Sequence, residues 1–330
     1  MFPSELADRL QQRLLDFCWG QWSQMGVLAA APPEPSRLPQ DPEALIVLTL
    51  EVARSDARLF DEVLDWMALN ERLLSLRRLR AMSIDDEDRA LVLAASTWLA
   101  WQRRSGRGAP EAAADTTALV DLFPLGGPPD ELDPSFAAAG FARPRLTRSG
   151  KSVEPDLALP INLALRLRAI LGVGIRAEVI RIMLGTRANW MTAQVLARSS
   201  TYSRRNVHDA LGGLCAAGIV SAARISDELR YTIEPDGWAA LLGYAPGDLP
   251  AHREWRSLFA VLRRVLRWSR TTGREELSEY MLASETRQLI NTLRGDLTYA
   301  GVPSSSPRTA DQAPAALREI VERALVAIGA

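Results

Sequence analysis

At 330 residues, with 39 basic and 40 acidic side chains, 47% hydrophobic and 24% charged, the chain has the length of two or three domains and a near-average globular composition, which excludes fibrous, collagenous and wholly disordered chains. No apolar run approaches the roughly 18 to 20 residues of a membrane span, and the start, Met1-Phe2-Pro3-Ser4-Glu5, lacks the basic end and apolar stretch of a signal peptide. A cytoplasmic protein with no membrane partner is expected. Cys18, Cys215, His208 and His252 are the only residues of their types; without CxxC or HxxxH spacing they point to reduced thiols and no zinc cluster.

Residues 1–105 are expected to form an N-terminal helical domain. Leu6, Leu10, Leu14 and Phe17 recur at helical spacing, and Pro32-Pro33-Glu34-Pro35 interrupts them. Asp41-Pro42 restarts the helix, the aspartate capping and the proline tolerating the first turn. Leu45, Leu48, Val52, Leu59, Val63, Leu64 and Met67 continue the period. Ser83 with Asp85, Asp86 and Glu87 is an acidic start for a further helix through Trp98.

Residues 106–155 read as a connector rich in Pro and Gly, acidic then basic, with a short strand around Ala118 to Phe123. From Ala109 to Ala142 there are six acids and no base; from Phe141 to Arg205 there are twelve bases against three acids. An imbalance of that size is expected of a surface that meets a polyanion.

Residues 156–244 carry the informative pattern. Ile161 to Leu171 and Arg176 to Leu184 read as two helices separated by Gly172-Val173-Gly174, followed by extended Trp190-Met191. Thr192 caps a helix from Ala193 to Arg198, a Ser199-Ser200-Thr201-Tyr202 turn follows, and Ser203 caps a helix that Gly218 stops. Ile219 to Ile225 and Leu229 to Ile233 are strand-like and joined as a hairpin through Ser226-Asp227-Glu228. With Val207, Ala210, Leu211 and Leu214 inward, a 100° step sends Arg205, His208, Asp209 and Gly212 outward, with Arg204 and Asn206 on the flanks. Such a face suits a groove of duplex DNA: Arg205 toward guanine, Asn206 toward adenine, and Arg204, Ser203 and Tyr202 toward phosphates. Gly212-Gly213 leaves two readings open, close approach of a duplex or close packing of helices.

This order, and the residues Trp190-Met191-Thr192-Ala193-Gln194-Val195-Leu196-Ala197, Tyr202-Ser203-Arg204-Arg205-Asn206-Val207, Ala210-Leu211, Leu214 and Ala217-Gly218-Ile219-Val220, resemble those of bacterial winged helix-turn-helix regulators of the MarR and ArsR kind. The resemblance covers about 80 of the 330 residues. It implies a recognition helix in the major groove and a hairpin wing on the backbone. Arg224, Arg230 and Thr192 are the backbone-contact candidates around that wing, whose acidic tip, Asp227-Glu228, departs from the pattern.

Residues 245–330 read as a C-terminal helical region, with Trp255, Leu258, Phe259, Leu262, Val265, Leu266 and Trp268 on one stripe, as core or as a dimer seam. Two motif fragments are set aside. Gly172-Val173-Gly174-Ile175-Arg176-Ala177 fits GxGxxA, but a helix precedes it, and Gly150-Lys151-Ser152 lacks the strand and first glycine of a phosphate loop. The latter reads as a basic linker, with a DNA-backbone arm as the other reading. Asp61, Glu62, Asp65 and Asp85 to Asp88 read as helix-surface charge.

The expectation is therefore a mainly α chain, with a winged helix-turn-helix between N- and C-terminal helical regions, that acts as a sequence-specific double-stranded-DNA-binding transcriptional regulator, a homodimeric repressor. No enzyme activity and no cofactor or metal are expected. The second expectation is an antitoxin-like interaction protein, whose winged helix autoregulates its promoter or binds a partner protein.

Overall fold

The computed structural model describes residues 2–29, 35–104, 119–124, 129–186, 188, 190–271, 276–304 and 307–330. The chain is mainly helical with a small sheet. The helices α1 (Phe2–Gln24), α2 (Pro42–Val52), α3 (Ala57–Leu69), α4 (Leu76–Ala81) and α5 (Asp86–Arg103) come first. Asp41 caps α2 by accepting from the Ala44 amide at 3.2 Å, with Pro42 in the first turn. Every residue of α2 is buried, as expected of a helix that is apolar on nearly all sides. Its two glutamates, Glu43 and Glu51, are consequently forced to find partners inside.

Two indoles buried near α2 have their N–H groups satisfied. Trp22 donates to Thr49 Oγ1 at 2.8 Å and Trp66 to the Met25 carbonyl at 2.6 Å. Trp255, at the start of a long C-terminal helix, donates to the Pro39 carbonyl at 2.6 Å. Its ring packs with Phe17 and Phe259 at centroid separations of 6.1 and 5.3 Å. The Trp255-to-Trp268 stripe is thus core, and the N- and C-terminal helices share one hydrophobic interior.

Between them the chain runs through β1 (Val120–Asp121), the short α6 (Pro134–Ala137) and β2 (Phe141–Ala142), with β1 and β2 paired in parallel. The expected strand is therefore present at Val120–Asp121, while Ala118 lies outside the described residues. Buried Arg143 pairs with Asp61 at 2.8 Å and sits 5.0 Å from the Phe136 ring centre, with Phe60 and Phe123 also against it. Arg148 Nε meets Asp65 at 2.5 Å, Ser149 donates to Glu62 at 3.0 Å, the Gly150 amide to Asp65 at 2.8 Å and the Val153 amide to the Gly26 carbonyl at 2.8 Å. The Gly150-Lys151-Ser152 stretch is accordingly a strap pinned to the N-terminal core, not a free arm. Glu62 and Asp65 are buried under it instead of forming helix-surface charge, and Asp88 is buried against Arg263 and Arg267.

A second core gathers α7 (Leu163–Leu171), α8 (Ile175–Gly185), β3 (Met191–Thr192), α9 (Ala193–Ser200), α10 (Arg204–Ala216), β4 (Val220–Ile225), β5 (Glu228–Ile233) and α11 (Pro235–Leu241). The sheet order is β3-β5-β4, all antiparallel, with Met191 opposite Tyr231 and Val220 opposite Ile233. Ser226 and Asp227 both have positive φ, 48° and 64°, which gives the tight two-residue turn whose twist suits a hairpin. Leu167, Ile180, Leu196, Val207, Leu211 and Tyr231 fill the space between helices and sheet. After α12 (Trp255–Arg270), α13 (Glu279–Ala300) and α14 (Ala313–Ile328) close the chain, each ending on a left-handed glycine, Gly301 and Gly329.

Among the described residues, no helix is long and apolar enough to cross a membrane.

Candidate nucleic-acid interface

The candidate site is built by local chemistry. Thr192 caps α9 by accepting from the Val195 amide at 3.3 Å, and Thr201, at φ 63°, ends that helix in the left-handed conformation. Two residues later Ser203 caps α10 by accepting from the Asn206 amide at 3.2 Å. Val207, Ala210, Leu211 and Leu214 are buried, which fixes the roll of α10. Arg204, Arg205, His208, Asp209, Gly212 and Gly213 are exposed, and Asn206 is half-buried.

A cleft of about 710 Å³ separates α10 from the hairpin. The helix contributes Arg204, Arg205 and His208 to it, and the hairpin contributes Asp227, Glu228 and Leu229. His208 Nδ1 lies 3.2 Å from the Tyr231 hydroxyl, which ties the helix to β5. Among the described residues, the Arg204 and Arg205 side chains enter no ion pair or hydrogen bond. The hairpin arginines differ. Arg224 donates to the Asp227 carbonyl at 3.5 Å, and half-buried Arg230 pairs with Glu228 at 3.4 Å, so both serve the hairpin's own acidic turn.

The two readings of Gly212-Gly213 separate here. A Cβ on Gly212 would meet nothing within 4 Å, and one on Gly213 would meet only an Arg176 guanidinium nitrogen at 3.9 Å. Helix packing does not require these glycines; the face they flatten is open.

Beneath the site lies a charge cluster that sequence reasoning missed. Asp41, Glu43 and Glu178 face Arg78, Arg168 and Arg181, and all six side chains are buried. Arg78 reaches Asp41 and Glu43 at 2.5 Å each; Arg168 reaches Glu43 at 2.6 Å and Glu178 at 2.7 Å; Arg181 reaches Glu178 at 3.1 Å. The three charges of each sign balance. Burial by itself would raise the Asp41 and Glu178 carboxyls, but the arginines around them outweigh it and hold both below the ordinary carboxylate range. Arg78 Nε also donates to the Ser200 carbonyl at 3.1 Å, and it lies 3.3 Å from Thr201 Oγ1, in the turn that leads to α10. Alongside, His252 Nδ1 lies 3.3 Å from the Arg181 guanidinium and its Nε2 3.0 Å from the Glu254 carboxylate. Glu254 in turn accepts from Ser199. The available signal was the face Ser75, Arg78, Leu79, Met82, spaced as one helical stripe, which places an arginine inward.

The cluster also revises the basic surplus of residues 141–205. Arg143, Arg145, Arg148, Arg168 and Arg181 each pair with an acid, and Arg187 lies outside the described residues. Tyr202 is half-buried with the Arg77 guanidinium 5.6 Å from its ring centre, and Arg198 lies against Tyr299 of α13. Among the described residues, no group of three or more His, Cys, Asp or Glu is placed to hold a metal ion.

The chain matches no protein-family model, no curated protein and no solved structure.

Proposed function

We propose that residues 156–244 form a winged helix-turn-helix and that the chain is a sequence-specific regulator that binds double-stranded DNA as a homodimer, without enzymatic activity. The observation that carries this reading is the capped helix α10, whose exposed face holds Arg204 and Arg205, in no ion pair among the described residues, beside an open cleft that Asp227 and Glu228 of the hairpin also line. A guanidinium without an intramolecular partner retains its full donor set for guanine or phosphate. In this reading Arg205 and Asn206 address base edges, and Tyr202, Ser203 and Arg204 address phosphates at the positive end of the helix. His208 and Asp209 line the same face. In the hairpin Arg230 is paired with Glu228, and Arg224 donates to the Asp227 backbone carbonyl without an ion pair, which leaves Arg224 as the wing's candidate for a phosphate.

The test is titration of the full chain with duplexes selected from a randomised pool, at several salt concentrations, with oligomeric state followed by sedimentation. The wild type is expected to discriminate selected from unrelated duplexes. Arg204→Ala is expected to flatten the log–log salt slope by about one. Arg205→Ala is expected to lose about 1 to 3 kcal/mol of discrimination at one base pair. Equal, weak affinity for every duplex would remove the specificity claim.

A further inference from the structure

Helix α4 reads Leu76-Arg77-Arg78-Leu79-Arg80-Ala81, and its three arginines go to two places. Arg78 turns inward, into the buried charge cluster and onto the Ser200 carbonyl. Arg77 and Arg80, three residues apart and so on one side of the helix, are exposed. Among the described residues, neither enters an ion pair or a hydrogen bond through its side chain. The Arg77 guanidinium rests on the ring of Tyr202, the residue just before the Ser203 cap of α10.

We infer that α4 is a second DNA-contacting element, with Arg77 and Arg80 binding backbone phosphates of the same duplex that α10 reads. The inference rests on the DNA-binding reading above and extends it to the N-terminal core, which no helix-turn-helix pattern includes. Three features carry it. Arg78 anchors α4 directly to the turn before α10, so the spacing between Arg77 and the start of α10 is fixed by buried bonds. Stacking on Tyr202 holds the Arg77 side chain in place, while its planar fork keeps donors at the edge for phosphate. In the hairpin Arg230 is paired with Glu228 and the turn itself is acidic, which favours further backbone contacts elsewhere on the surface, and α4 is positioned to supply them.

The experiment measures anisotropy of two labelled duplexes, one selected from the randomised pool and one of shuffled sequence, against the full chain across a salt series. The variants are the wild type, Arg77→Ala/Arg80→Ala and Arg77→Lys/Arg80→Lys, with thermal unfolding of each as a folding control. The double alanine variant is expected to weaken both duplexes by the same factor and to make the log–log salt slope shallower by about two. The ratio of affinities for the two duplexes stays unchanged, and the double lysine variant retains the wild-type slope. A double alanine variant with wild-type slope and affinity overturns the role of α4 and leaves α10 as the reader. A wild-type chain with no salt-dependent affinity for either duplex overturns both readings.

Discussion

Arg78 on α4 donates from Nε to the carbonyl of Ser200, the last residue of α9, at 3.1 Å. A terminal helix carbonyl has no partner in its own helix. Here the Thr201 hydroxyl donates locally at 2.6 Å and a second donor comes from 122 residues away, so the turn into α10 is tied to the N-terminal core.

Replacing Arg78 is expected to be costly because three buried carboxylates, Asp41, Glu43 and Glu178, lose a counter-charge together. Arg78→Met should destabilise the fold by about 3 to 5 kcal/mol, read as a drop in the denaturant midpoint. A wild-type midpoint would show that the cluster does not hold the two cores together.

Acid should unlock the same cluster. Asp41 and Glu178 are held below the ordinary carboxylate range in the folded chain, so the unfolded chain takes up their protons first. Their contribution is fully present above the ordinary carboxylate value, roughly pH 4, and is lost as pH falls from there toward the depressed folded values. Thermal unfolding followed between roughly pH 5 and pH 2 should fall more steeply in the wild type than in Glu178→Gln. Parallel curves for the two proteins would place the acid sensitivity elsewhere.

Gly212 offers a test in which stability and binding move in opposite directions. Its Cβ position is open and it lies inside α10, where alanine is favoured over glycine by about 0.5 to 1 kcal/mol. Gly212→Ala should therefore raise the melting temperature. If a duplex approaches the flat part of α10, the same change should weaken duplex binding several-fold; unaltered affinity would mean that the glycines are not there for DNA.

The local architecture of residues 160–233 was legible because its determinants are neighbours in sequence. Thr192 and Ser203 cap the helices that begin one residue later, and Ser226-Asp227 forms the hairpin turn between β4 and β5. The spacing of Val207, Ala210, Leu211 and Leu214 fixed which side of α10 faces inward. Helical period likewise marked Trp255 to Trp268 as an apolar stripe, leaving core and dimer seam open.

The fate of the charges was not legible. Twelve bases between Phe141 and Arg205 look alike in the sequence, yet Arg168 is buried against Glu43, 125 residues away, whereas Arg204 and Arg205 face outward without an acid. Glu62 and Asp65 on α3, and Asp88 on α5, looked like surface charge because their partners, Ser149, Gly150 and Arg148 for the first two and Arg263 for the last, are far along the chain. Capping, turns and helical period act over a few residues, so the sequence alone determined the elements of residues 160–233 and the roll of α10. Burying an ionised side chain requires an opposite charge within a few ångströms, whatever its distance along the chain, so only the tertiary structure decided which arginines tie the two cores together and which remain free to meet a ligand.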